Sequence, residues 1–140
     1  MSLILIIHLI ALGIWIGVVG AEAAIEFDGM KDDESYIRAS KLHYITDIWV
    51  EIPAFTTVLV SGMLMVNESH LSGVFLYKII FALLAIMFNL ICVYAVFKRR
   101  KFALSSDLAG MKSAETVMKV GGLIIPTFLV AFVLAFYLAW

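Results

Sequence analysis

Apolar residues run almost unbroken through four stretches, about 2–24, 43–66, 74–97 and 118–140, and polar residues collect between them. Each stretch exceeds the roughly 20 residues that an α-helix needs to cross about 30 Å of hydrocarbon. The pattern predicts an all-α fold, a single integral membrane domain over residues 1–140 built as a four-helix up-down bundle. The first stretch carries His8 and Glu22 and lacks a basic lead segment and a small-residue cleavage site, so it reads as a span and not as a signal peptide. Pro53 and Pro126 fall inside spans, where a kink widens the bundle and neighbouring helices can satisfy the freed carbonyls.

Composition sharpens this picture. The chain is 64% hydrophobic and 15% charged, with a mean hydropathy of +1.05, more apolar surface than a soluble domain of 140 residues can bury. Its net charge of −1 is uninformative, but the basic residues are unevenly placed. Lys31, Arg38 and Lys41 follow the first span, and Lys98, Arg99, Arg100, Lys101, Lys112 and Lys119 lie between or beside the third and fourth. The loop "NESHLSGVF" has none, which puts both basic loops in the cytoplasm and both termini outside. "KRRK" (98–101) then reads as a topology anchor, with anionic lipid contact as a sharper alternative.

The connectors "FDGMKDDESYIRASKL" and "LSSDLAGMKSAET" read as amphipathic or irregular, the latter with Ser105 or Ser106 capping a short helix and Asp107 in its first turn. "GVVGAEAA" and "KVGG" offer small residues for close helix contact. Tyr77, Tyr137 and Trp140 suit an aromatic belt. The single cysteine, Cys92, rules out an intrachain disulfide, and no phosphate-binding loop or nucleic-acid-binding patch is present.

Ionisable residues on the spans carry the chemistry, because each must face a partner, water or the bundle interior. His8, Trp15 and Glu22 recur at intervals of seven, with Glu26 one turn further. His43, Asp47 and Glu51 form a second stripe at intervals of four, continued by Ala54 and Ser61. Lys78 and Asn89 share a face of the third span. Depth divides these groups into two sites, on the order of 10–20 Å apart at the helical rise. The outer site holds His8 and Lys78, with His70 of the loop as a further candidate; the inner site holds Glu22, Glu26, His43, Asp47 and Glu51.

An imidazole facing a bundle interior can hold a haem iron or simply hydrogen-bond to a hydroxyl or carbonyl. Lys78 can ligate, pair with a propionate or snorkel to the surface. At the inner site, several carboxylates in a low dielectric must be protonated or balanced by a cation. Histidine with carboxylates at helical spacing suits a non-haem transition metal such as iron, copper or zinc, and a ladder of acids also suits proton delivery with Glu51 innermost. Glu26 is peripheral and can reach cytoplasmic water.

"HLIALGIWIG" (His8, Trp15, Gly17), "IPAFTTVLVSGMLM" (Pro53, Ala54, Gly62) and "LYKIIFALLAIMFNL" (Lys78) resemble the first three spans of the bacterial haem-dependent protoporphyrinogen oxidases and their copper-resistance protein D-like relatives. The resemblance implies a b-type haem with His8 as an axial ligand, Trp15 and Lys78 close to it, a function for Lys78, and a bacterial cytoplasmic membrane. The fourth span keeps Lys119 and Pro126 but lacks that family's Asn-Glu, and the family's histidine late in the third span is either replaced by Asn89 or missing here. The carboxylate ladder is not part of the family pattern. These departures favour a diverged haem-b redox protein with an added metal site, transferring electrons or reducing a small molecule such as oxygen or nitric oxide, with Glu51 and Lys78 as catalytic candidates. The alternatives are a copper or iron permease, a protoporphyrinogen oxidase-like enzyme, and a structural subunit of a respiratory complex. With so little mass outside the membrane, a homodimer, a redox partner protein or a quinol is the expected company.

Overall fold

The computed structural model describes residues 2–139, the last by its backbone alone, so the aromatic-belt position given to Trp140 lies outside the described residues. The described residues are helical apart from short turns and contain no strand. The helices are α1 (Leu3–Gly29), α2 (Asp33–Thr46), α3 (Ile52–Met65), α4 (Gly73–Leu104), α5 (Leu108–Gly121) and α6 (Ile124–Ala139). A π-turn, Asp47–Glu51, joins α2 to α3, and a 3₁₀ turn, Glu68–Leu71, precedes α4. Four rods result, Leu3–Gly29, Asp33–Met65, Gly73–Leu104 and Leu108–Leu138, each long and apolar enough to cross a membrane. Side chains as large as Leu3 and Trp49 stand more than 70% exposed on their outer faces, as a lipid solvent permits.

The inward faces follow from spacing. On α1 the buried positions Ala11, Trp15, Val18, Glu22 and Gly29 fall three, four or seven apart, a single seam. That seam meets Ala54, Phe55 and Val58 of α3, Ala85 and Ile86 of α4, and Ile124 of α6, so all four rods feed one core. Trp15 is its centre, with ring centroids 6.1 Å from Phe55 and 6.0 Å from Phe128. α1 packs along α2 and α3, α4 packs along α5 and α6, and α2 meets α4.

Of the two readings open for the connectors, amphipathic or irregular, both segments take the helical one. α1 runs on to Gly29, and α2 starts at Asp33 behind Asp32, whose carboxylate accepts from the Ser35 N–H at 2.7 Å. That bond also holds the Asp32 carboxyl below its ordinary range. Only residues 30–32 turn the chain. The charged residues that suggested a loop lie on outer faces, where Asp28 pairs with Lys31 and Arg38, while Ser35 and Ser40 turn inward. α4 likewise continues to Leu104. The cap of α5 is Asp107, whose Oδ1 accepts from Gly110 N–H at 2.9 Å, and not Ser105 or Ser106; Ser106 instead takes the left-handed turn at φ 56°.

The prolines act at breaks. Ahead of Pro53 the chain opens into the π-turn, where the Ile52 N–H reaches the Asp47 carbonyl. Ahead of Pro126 the fourth rod breaks at residues 122–123, and the Ile125 N–H takes the Gly122 carbonyl that proline cannot reach. Of the small residues expected at helix contacts, Gly121 serves and Gly17 and Gly20 do not. A Cβ on Gly121 would lie 2.6 Å from the Cys92 Cβ, whereas Gly17 and Gly20 point away from the α1 seam, with nothing within 4 Å.

Gly121→Val is therefore expected to destabilise the fold by about 1–3 kcal/mol through overpacking. Gly17→Val should change stability by less than about 0.5 kcal/mol. Unfolding of the purified protein in detergent compares the two directly.

Candidate metal centre

Where α1, α2 and the π-turn meet, His43 sits among three acids. Its Nε2 lies 3.6 Å from Glu22 Oε2 and 3.6 Å from Asp47 Oδ1. One donor atom from each of Glu22, His43 and Asp47 falls within 4.8 Å of the other two. Ligands held by bonds of about 2.1 Å at a tetrahedral angle sit about 3.4 Å apart, so the spacing suits a first-row cation. All three residues are at most 5% exposed. Glu22 Oε1, His43 Nε2 and both Asp47 carboxylate oxygens have no hydrogen-bond partner. Buried polar atoms are rarely left so, and a cation bound by one donor from each residue would answer the bare His43 Nε2 and an Asp47 oxygen.

Local sequence places these groups. Glu22 is on the buried seam of α1, seven residues after Trp15. His43 ends the inward face of α2, and the π-turn adds one residue per turn so that Asp47 and Glu51 both face inward while Trp49 and Val50 face out.

His43 is held from behind. Its Nδ1 lies 2.5 Å from Glu26 Oε1, and the Glu26 carboxylate is gripped by the Arg99 fork, Nη1 to Oε2 at 2.7 Å and Nη2 to Oε1 at 2.6 Å. Arg99 is fully buried, 5.4 Å over the Tyr36 ring, and the Tyr36 hydroxyl donates to Glu115 Oε2 at 2.9 Å. A carboxylate on Nδ1 keeps that nitrogen protonated and leaves Nε2 its lone pair, the state in which an imidazole binds a metal. Glu26, read from sequence as a peripheral ligand, is thus the group that orients His43.

Glu51 is 3% exposed and stands next to Asp47, Asn89 and Trp15, outside the triad. Trp15 donates Nε1–H to Asn89 Oδ1 at 3.3 Å. Because indole only donates, the bond turns the Asn89 amide nitrogen away from it, and that nitrogen is unpartnered.

The groups of the expected outer site lie far from this centre. His8 is half-buried, with Nδ1 2.9 Å from Ser61 Oγ. Ser61 spends its single proton on the Thr57 carbonyl at 2.5 Å, so it accepts from Nδ1–H and leaves His8 Nε2 a lone pair. Gly62 makes room for the ring; a Cβ there would lie 3.4 Å from His8 Cε1. Lys78 Nζ lies 4.6 Å over the Phe75 ring, on which His70 stacks at 4.0 Å, and Lys78 is close enough to act electrostatically on His8. His70 Nδ1 also accepts from the Asn67 N–H, closing the 3₁₀ turn. Trp15 lies two turns deeper than His8, within the apolar core.

Sequence reasoning missed Arg99, Tyr36 and Glu115. Arg99 hid within "KRRK", although it continues the α4 seam through Asn89, Val96 and Ala103. Tyr36 is one step back on the α2 stripe, seven residues before His43.

Without a cation, Glu22, Asp47 and Glu51 crowd one another, and among the described ion pairs none joins them to a lysine or arginine. Asp47→Asn should therefore raise the unfolding temperature of metal-stripped protein and abolish any further rise on adding a divalent ion; calorimetry with and without chelator measures both. Compared with protein-family models, curated proteins and solved structures, the chain matches none, so its resemblance to the haem-dependent oxidases rests on the quoted residues alone.

Proposed function

We propose that this chain is a multi-pass membrane metalloprotein in which Glu22, His43 and Asp47 hold one divalent first-row transition metal. One donor atom from each of three buried residues, Glu22, His43 and Asp47, within 4.8 Å of the other two carries this reading, and the bare His43 Nε2 and Asp47 oxygens support it. One imidazole with two carboxylates suits iron, zinc or manganese more than the soft cuprous ion. Three protein ligands also leave room for an exogenous one, the arrangement of reactive rather than purely structural sites.

The metal is a resident and not a passenger. An ion in transit needs ligands that release it, whereas His43 is fixed from behind by Glu26 and Arg99. That favours redox work, electron transfer or reduction of a small molecule such as oxygen or nitric oxide, over the permease reading. Glu51, beside Asp47 and deeper along the rod, is the acid positioned to exchange protons with the centre.

A b-type haem at His8 belongs to the same proposal. The tautomer imposed by Ser61 leaves Nε2 a lone pair with which His8 would hold the iron, and a groove of about 300 Å³ lined by Ile4, Ile7, Thr56, Thr57, Val60, Ser61 and Leu64 runs beside it. When bound, haem would supply one-electron redox chemistry; the chain contributes the ligand, the Lys78 charge nearby and an apolar wall. His8 and Glu22 are fourteen residues apart on α1, about 21 Å along the axis.

The rods would stand as an up-down bundle in a bacterial cytoplasmic membrane with both termini outside, placing the metal centre toward the cytoplasm. A second copy, a redox protein or a quinol would exchange electrons with it.

Purified protein is expected to carry about one equivalent of metal, lost in Glu22→Ala/Asp47→Ala. Its reduced-minus-oxidised spectrum should show a Soret band lost in His8→Ala while the metal remains. Absence of metal from wild type on reconstitution removes the inner centre, and a Soret band indifferent to His8→Ala removes the haem assignment.

A further inference from the structure

We propose that Arg99 is a positioning residue for the metal centre, holding Glu26 off the metal so that it serves as the hydrogen-bond acceptor of His43. This rests on the metal reading of Glu22, His43 and Asp47.

Glu26 stands one helical turn from Glu22, on a side chain just as long, beside the same imidazole. Left alone, a flexible carboxylate in that position would swing onto a cation, or repel the acids already there. The Arg99 fork removes both options. Each Glu26 oxygen accepts from one guanidinium nitrogen, at 2.7 and 2.6 Å, and the same Oε1 also meets His43 Nδ1 at 2.5 Å. A bidentate pair fixes the plane of the carboxylate as well as its position, which a lysine ammonium cannot do.

The guanidinium is itself fixed. It is fully buried and lies over Tyr36, whose hydroxyl is bonded to Glu115 on α5. Lys119 lies 3.6 Å from the other Glu115 oxygen at the surface. The chain of contacts thus runs from α5 through α2 and α4 to α1 and ends on the imidazole nitrogen opposite the metal. Among the described ion pairs, the Glu26–Arg99 pair alone joins α1 to α4. Arg99 touches no metal ligand in this arrangement. Its effect passes through Glu26 to the tautomer and orientation of His43.

Cobalt(II) is a suitable probe, because its visible absorption reports the number and kind of ligands. Wild-type protein, stripped of metal in detergent, should bind one Co²⁺. Arg99→Gln should weaken that binding by about 10- to 100-fold, the range seen when outer partners of ligating histidines are removed. Its spectrum should also change as Glu26 enters the coordination sphere. Arg99→Lys should fall between the two. Glu26→Gln/Arg99→Gln, which leaves no unpaired charge and so remains testable if Arg99→Gln does not fold, should recover the wild-type spectrum and bind within about tenfold of it.

Wild-type affinity and spectrum in Arg99→Gln would overturn the inference. So would a loss that the double variant fails to rescue, since a purely structural arginine gains nothing from neutralising Glu26. Failure of wild-type protein to bind Co²⁺ overturns the metal centre itself, a separate result.

Discussion

A guanidinium taken out of water loses hydration worth several kcal/mol even after the protein relaxes around it, and the loss is offset only where its donors are met in good geometry. Arg99 meets that condition at its fork: fully buried, it gives Nη1 and Nη2 to Glu26 and lies over Tyr36, with only Nε left unpartnered. Because its partners are on α1 and α2 while it projects from α4, the pair can form only when the two halves of the chain are docked. Once docked, little freedom remains for His43. The electrostatic demand of one buried cation therefore sets the register of the bundle at the level where the acids collect.

Length matters as much as charge. Rods of 27–33 residues span about 40–50 Å, well beyond a hydrocarbon core of about 30 Å. The excess lies largely at one end, in the last turns of α1 and α4 and the first turns of α2 and α5. His43, at the edge of its apolar stretch by hydropathy, is the eleventh residue of the rod that starts at Asp33. The extra turns carry Glu26, Arg99 and Tyr36, which back the imidazole through Glu26, and His43 is 4% exposed. A site that sequence alone places at the water boundary is thereby sheltered by protein.

This explains which parts of the molecule were legible beforehand. Four apolar rods and the stripes of Glu22, His43, Asp47 and Glu51 follow from periodicity, since each period carries a repeated energetic demand. The helical extensions do not, because their outer faces are as polar as a loop and their inner faces hold only a few residues apiece. Arg99 was hidden for a related reason: a basic residue at a membrane edge has a general explanation in topology, which masked its place on the α4 seam and its contact with Glu26. The roles of Gly17 and Gly121 were equally unreadable. Both are small residues on apolar helices, and they differ only in whether a neighbour's backbone comes close.

Glu22 and Glu26 show how far context outweighs residue type. They are the same amino acid one turn apart on the same helix, facing the same histidine. Glu26 has both oxygens engaged by Arg99 and so can act only as an anchor, accepting from Nδ1. Glu22 has no basic partner other than the imidazole and keeps Oε1 bare, so it is free to serve as a ligand. The difference originates on α4, whose one buried guanidinium is set against Glu26 and not against Glu22. An arginine at both levels would have paired all the acids and left nothing to bind a cation; an arginine at neither would have left the imidazole unanchored among mutually repelling carboxylates. A single positive charge, set against Glu26 and not Glu22, is what lets chemically identical acids divide into one with a bare oxygen and one engaged as an anchor.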